Sequence, residues 1–239
     1  MVFNGETNDQ DICTLADKKA GSNDVSFPLK EKALYASMKA REVWRVIWGA
    51  YGGWNVDDNA NTGEPEATVA LSTTLRNVYA FATAQAIIAM EWLDSSGNWN
   101  PLTPITIEEI NARGMAETEF ENTPGDPVYY RPVQNGVRIY PDSSAARSDA
   151  LKAKILRDIV AFTPSDTTKT PGWDANLHEG LAIGMAHEYA KNNTLAVSAS
   201  LANDWALFLS DVAAHYQRKF RQNFPPKLKK KSDVVGAYV

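Results

Sequence analysis

The chain holds one cysteine, Cys13, and three histidines in 239 residues. A single thiol cannot make an intramolecular disulfide, so the fold must rest on its core, and a lone thiol suits a reducing compartment. Cys13 sits in an Asp/Asn-rich leader with no histidine nearby. A nucleophilic cysteine needs a base within reach, so Cys13 reads as structural. No apolar run approaches the ~18–20 residues of a membrane span. The longest apolar-leaning stretch, Val78–Leu93, is interrupted by Thr83, Gln85 and Glu91. The polar N-terminus (Asn4, Glu6, Asp9, Asp11) lacks a secretory-signal pattern. Hydrophobic residues make up 44% and charged residues 22%, which excludes a disordered or collagen-like chain. A chain of this length forms one large domain or two small ones and buries roughly 70–75% of its unfolded surface.

The scarcity of histidine limits metal and general-base chemistry. His178 and His187 are nine residues apart on one predicted helix, which turns them to opposite sides. They lack the i,i+4 spacing of a zincin pair. His215 belongs to a different helix, next to Tyr216. There is no Gly-x-Ser-x-Gly elbow. Gly49-Ala-Tyr-Gly-Gly53 ends a helix and is not followed by Lys-Ser/Thr, so it is poorly placed to cradle phosphate. Carboxylates such as Glu64, Glu66, Glu91 and Asp94 are plentiful, but spacing selects no acid/base pair among them. The residues therefore predict no catalytic group, no metal ligand and no cofactor, and the chain reads as a non-enzyme.

Charge is unevenly spread. The formal net charge is −5, from 24 basic and 29 acidic residues. Arg218–Lys231 contains seven basic residues (Arg218, Lys219, Arg221, Lys227, Lys229, Lys230, Lys231) and no acidic one. Outside it, 17 basic residues face 29 acidic ones, a net of −12. An acidic body repels nucleic acid. A basic arm can meet phosphate, an acidic protein groove, or only water.

Residues 1–27 are polar and predict an extended arm. Pro28 opens a helix over about 28–50. Leu34, Met38, Trp44 and Trp48 are expected on one side of it, with Val43 and Ile47 opposite. Val69, Leu71, Val78 and Ala80 then read as short strands. Ala86–Leu93 is a strand with Ile88, Met90 and Trp92 on one face, and the Asp94–Asn98 turn returns it at Trp99. Thr106 and Glu109 form a capping box for a short helix over 107–113. Gln134-Asn-Gly136 predicts a hairpin. Residues 150–159 alternate as a strand. Asp174 is expected to cap a helix over 175–191, and a last helix spans 197–223. Its stripe is Leu201, Trp205, Phe208, Val212, Tyr216 and Phe220.

The expected fold class is therefore α+β: a helical bundle of one N-terminal and two C-terminal helices, with a β-rich domain inserted. Residues 1–27 form the N-terminal arm. Residues 28–64 and 161–224 form the bundle, 65–160 the insert and 225–239 the C-terminal arm. Of seven tryptophans, Trp44, Trp48, Trp92 and Trp205 fall on regular elements as core residues. Trp54, Trp99 and Trp173 fall in polar loops, where they either plug a loop onto the body or stack on sugars.

The segment 162–190, FTPSDTTKTPGWDANLHEGLAIGMAHEYA, resembles the signature of head-to-tail adaptor, or connector, proteins of tailed bacteriophages. The resemblance lies in Asp166-Thr167-Thr168, Pro171, His178-Glu179 and Glu188-Tyr189-Ala190. Asn98-Trp99-Asn100-Pro101-Leu102 and Val137-Arg138-Ile139-Tyr140-Pro141 are similar as well. In order, the resemblance covers about 70–220 and is nearest to adaptors of short-tailed phages. It departs from the family in the 27 residues that precede Pro28. The resemblance implies a structural virion protein of the neck, made in the bacterial cytoplasm. Such a protein forms a ring with itself, usually of twelve copies, below the portal protein and around the DNA channel. It carries the nozzle and fibre proteins of the tail. DNA would pass without sequence-specific binding, and no membrane partner is implied. By analogy, Arg218–Lys231 would dock on the portal. Two other classes compete: a glycan-binding module using Trp54, Trp99 and Trp173, and a hydrolase using a carboxylate pair.

Overall fold

The structure, a computed structural model, describes residues 1–5, 10–57, 64–71, 79–81, 84–123, 125–134, 136–141 and 147–223. Those residues form six α-helices and seven strands, so the fold is α+β. The chain divides into two compact units, Met1–Gly63 with Ile159–Val239, and Glu64–Asp158.

The first unit is helical. It contains α1 (Ile12–Ala20), α2 (Leu29–Tyr51), α5 (Glu179–Asn192) and α6 (Ser198–Asn223). Helix α5 packs against α1, α2 and α6, and α2 packs against α6. Helix α1 overturns the extended arm expected at 1–27. Asp11 caps it by accepting from the Thr14 amide at 2.7 Å, and Gly21 ends it at φ 67°. Ile12, Ala16 and Ala20 recur at i,i+4 and are buried, as are Phe3 and Phe27 on either side. Phe3 packs on Phe162 at 4.8 Å and Phe27 stacks on Tyr189 at 4.4 Å between centroids. An apolar stripe this short is hidden by the polar residues around it.

Helix α2 begins after Pro28 and stops at Gly52, whose amide bonds to the Trp48 carbonyl. Val43, Trp44 and Ile47 are buried as apolar residues should be. Leu34 and Met38, expected inside, are instead 57% and 43% exposed, whereas Lys32 and Lys39 are buried. The reversal has an electrostatic cause. Lys32 Nζ donates to Asp17 at 2.5 Å and Asp24 at 2.6 Å. Lys39 pairs with Glu188 at 2.9 Å and Glu42 at 3.1 Å, with its Nζ 5.0 Å from the Trp205 ring centroid. A buried ammonium is tolerated when paired in this way, and an apolar-stripe rule does not see it.

The second unit holds β1 (Glu66–Leu71), β2 (Tyr79–Ala80), β3 (Ala86–Leu93), β4 (Trp99–Pro104), β5 (Tyr129–Val133), β6 (Gly136–Tyr140) and β7 (Arg147–Leu156). Their order is β1-β7-β3-β4-β5-β6-β2. Among the described residues, only β4 and β5 run parallel. The edge strands β1 and β2 approach each other, so the sheet nearly closes. A parallel neighbour needs a crossover, supplied by α3 (Ile107–Ala112) and α4 (Glu117–Glu121). The capping box read at Thr106 and Glu109 is present in both directions, at 2.7 and 3.2 Å. Beneath these helices lie Ile105, Ile110, Phe120 and Tyr140. The main core gathers Met90, Trp92, Leu102, Val137, Ile139, Leu151 and Ile155.

Strand β3 corrects one face assignment. Met90 and Trp92 are buried, but Ile88 is 44% exposed. The register against β7 slips between Ile87 and Ala89, and such a bulge reverses the alternation of side chains. The β5–β6 hairpin pairs Val133 with Gly136; its Asn135 and the Val78 read as strand lie outside the described residues.

Candidate functional site

The segment 162–190 joins the parts of the helical unit. Lys169 is buried, and its Nζ donates to the carbonyls of Val160 at 2.9 Å and Ala161 at 2.6 Å. Its own carbonyl accepts from the Phe3 amide at 2.8 Å. Asp166 accepts from the Thr163 amide at 2.8 Å. His178 is buried at the start of α5. Its Nε2 donates to the Trp173 carbonyl at 2.8 Å, and its Nδ1 faces the Met1 amine at 3.3 Å. Burial pushes the pKa of this imidazole down, and the Met1 ammonium adds to that. Burial raises Glu188, but the Lys39 ammonium outweighs it and holds the carboxyl below its ordinary value. Glu179 pairs with Lys19 at 3.1 Å. The polar residues of this segment therefore hold the N-terminal residues, the 159–178 loop and the helices to one another.

Asp174 does not cap α5. Its side chain makes no cap bond, and a 3₁₀ turn, Ala175–Leu177, precedes the helix. The carboxylate is taken by α6: His215 Nε2 lies at 2.6 Å and Lys219 Nζ at 3.0 and 3.3 Å. Burial raises the Asp174 pKa, but His215 and Lys219 lower it further, so the net shift is downward. Its amide donates to the Tyr216 hydroxyl at 3.2 Å, and burial pushes that phenol up to about 12. Lys219 also donates to Asn55 at 3.0 Å. Asp174, His215, Arg218, Lys219 and Gln222 line a cleft of about 400 Å³. Nothing local in the sequence links Asp174 to His215, 41 residues on.

The basic stretch at Arg218 does not start as an arm. Helix α6 continues through Asn223, and Lys219 is held by internal partners. Arg218 and Arg221 are exposed on its last turns. Lys227, Lys229, Lys230 and Lys231, with the arm assigned to 225–239, lie outside the described residues.

Trp54 and Trp173 are 9% and 5% exposed. Trp54 packs near Trp44 at 6.0 Å, and Trp173 Nε1 donates to the Leu177 carbonyl at 3.2 Å. Neither ring presents a face for a sugar. Trp99 is 38% exposed, with Lys152 Nζ 4.6 Å from its centroid. Cys13 is buried, which pushes its thiol up to about 12 and leaves it unreactive. Glu91 pairs with Lys152 at 2.6 Å and Glu64 with Lys154 at 2.9 Å. Asp94 organises its turn through the Ser96 and Asn98 amides at 2.8 and 2.9 Å. Among the described residues, no three His, Cys, Asp or Glu side chains are placed to hold a metal ion. No helix among them is long and apolar enough to cross a membrane. No known protein family matches this chain, and no curated protein matches it as a relative.

Proposed function

We propose that this chain is a structural protein of the phage neck, a head-to-tail adaptor that rings the DNA channel between the portal and the tail. The observation that carries this is the seating of 162–190. Of the residues that resemble the adaptor signature, His178, Glu179 and Glu188 tie the helical unit together, and Lys169 of the same segment does so beside them. A signature made of tethers suits a part in an assembly better than a reaction centre. The finer architecture belongs to the same proposal: a helical bundle carrying a β insert. The acidic body would let DNA slide past without gripping it.

The test is the native mass of the protein, alone and mixed with the portal ring of its virus. A portal complex carrying many copies is the expected result. A protein that stays monomeric beside the portal overturns the proposal. Portal docking through the basic arm has its own test, and the structure fixes where to cut. Removal from Arg218 would take away the Lys219–Asp174 contact and the packing of Phe220 on Tyr51 at 6.0 Å. Removal of 224–239 leaves α6 whole. That shorter protein should keep its melting temperature and lose portal attachment; retained attachment assigns docking elsewhere.

A further inference from the structure

Two faces of the helical unit carry exposed apolar side chains beside charges of opposite sign. On α2, Leu34 is 57% and Met38 43% exposed. Lys30 and Arg45 are exposed at the ends of that stripe, and Arg41 lies half-buried within it. Positions 30, 34, 38, 41 and 45 recur at helical spacing. The nearest acidic residues are already engaged. Glu31 accepts from the Tyr35 hydroxyl at 2.5 Å, and Glu42 accepts from Lys39 and from Trp205 Nε1 at 2.9 Å.

On α6, Leu207 is 65% exposed between the exposed Asp204 and Asp211. Trp205 meets Lys39 and Glu42 of α2. Leu207 is two residues further on, roughly 200° around the helix, so it points away from α2. Among the described residues, Lys30, Arg45, Asp204 and Asp211 have no ion-pair partner, and Arg41 Nε has no hydrogen-bond partner.

Single exposed apolar side chains are ordinary. Here they occur on two faces of the same unit, one basic and one acidic. Each face complements the other and not itself. When two copies join basic face to acidic face, one face of each kind stays open. Further copies then add head to tail, and a rotation that closes makes a ring.

We propose that the α2 face of one copy docks on the α6 face of the next copy. Leu34 and Met38 pack against Leu207, and Lys30, Arg41 and Arg45 lie against Asp204 and Asp211. This contact is the subunit interface of the neck ring and rests on that reading. Opposed charges fix the register and exclude like-face pairing.

Two charge-reversed proteins test it: an α2 variant, K30E with R45E, and an α6 variant, D204K with D211K. A milder pair, R45E and D211K, is run alongside, and thermal melts verify that each is folded. Native mass is read over a range of concentrations, with and without the portal ring. The expected result is a multi-copy species for the wild type and its loss for either variant alone. An equal mixture of the two variants should recover it, because alternating copies oppose unlike charges at every contact. If the wild type assembles and both variants assemble equally well, the interface is overturned while the neck reading stands. Loss in the variants without recovery on mixing overturns the head-to-tail pairing. If the wild type self-associates without binding the portal, and the variants do not self-associate, the interface is supported and the neck reading fails. A wild type that is monomeric throughout overturns both.

Discussion

Lys32 is fully buried with a positive charge. Desolvation lowers its pKa, but the hydrogen bonds and charges of Asp17 and Asp24 raise it further, so the net shift is upward. Lys32→Ala leaves the Asp17 carboxylate beside a cavity, and removing one partner of a buried pair costs about 3–5 kcal/mol. Because Asp24 is 88% exposed at its side chain, the lower end of that range is expected in denaturant titrations. A loss below about 1 kcal/mol would mean that water already screens the cluster. His178 gives a pH dependence. Its folded pKa lies below the unfolded value of 6.5, so the unfolded chain takes up the proton first as pH falls. Its contribution to stability is whole above that value and is lost as pH falls through the folded pKa. Between about pH 7.5 and 5.5 the wild type should therefore lose stability, and His178→Gln should lose less. His187 is shifted down as well, first by burial and then by Lys39, so part of the slope remains in the variant. An unchanged slope would remove His178 from this account.

At the scale of elements, α5 meets α6 closely at two of its glycines. A Cβ on Gly184 would lie 2.7 Å from the Trp205 ring and 2.9 Å from Lys39 Cγ. A Cβ on Gly180 would lie 2.0 Å from the ring of Phe208. In an open helix, Gly→Ala gains about 1 kcal/mol, whereas overpacking a core costs about 1–3 kcal/mol. The sign of the change thus reports the contact. Gly184→Ala should lower stability by about 1–2 kcal/mol, because Trp205 is buried and tied to Glu42. Gly180→Ala should cost less, since Phe208 is only half-buried and can swing aside. Calorimetric melting decides it: a stabilised Gly184→Ala would mean that the helices are looser than described.

At the scale of the whole molecule, the first and last strands of the β unit pair with each other. Glu66 pairs with Lys154 across β1 and β7, and the Ile155 amide donates to the Pro65 carbonyl at 2.9 Å. The chain therefore leaves and returns at neighbouring points. Replacing 66–156 by a short Gly-Ser linker, which has only to join neighbouring paired strands, should leave a helical protein. It should melt cooperatively and keep near-UV aromatic signals from Trp44, Trp173 and Trp205. Loss of cooperative melting would make the helical unit dependent on the insert.

The sequence alone determined what depends on neighbours along the chain. The Thr106 capping box, the stop at Gly52, the turn at Asp94, the alternation of Met90 and Trp92 and the stripe of α6 from Leu201 to Tyr216 are local patterns, whereas Phe220, expected on that stripe, is 39% exposed. Local hydrogen bonds and side-chain periodicity impose them wherever the chain lies. The tertiary structure decided what depends on residues far apart. Lys32 and Lys39 went inside and Leu34 and Met38 stayed out because carboxylates from other segments reached the ammonium groups. Helix α1 joined the core because Phe3 and Phe27 found Phe162 and Tyr189. Asp174 was drawn from its expected cap to His215 and Lys219 on another helix. Ile88 turned outward at a bulge that only the pairing of β3 with β7 reveals. The two charged faces on α2 and α6 were equally hidden, since their exposure and their unpaired charges exist only once the helices have packed. Burial is a property of the assembled core, so a periodicity can name its candidates while long-range charge pairing selects among them.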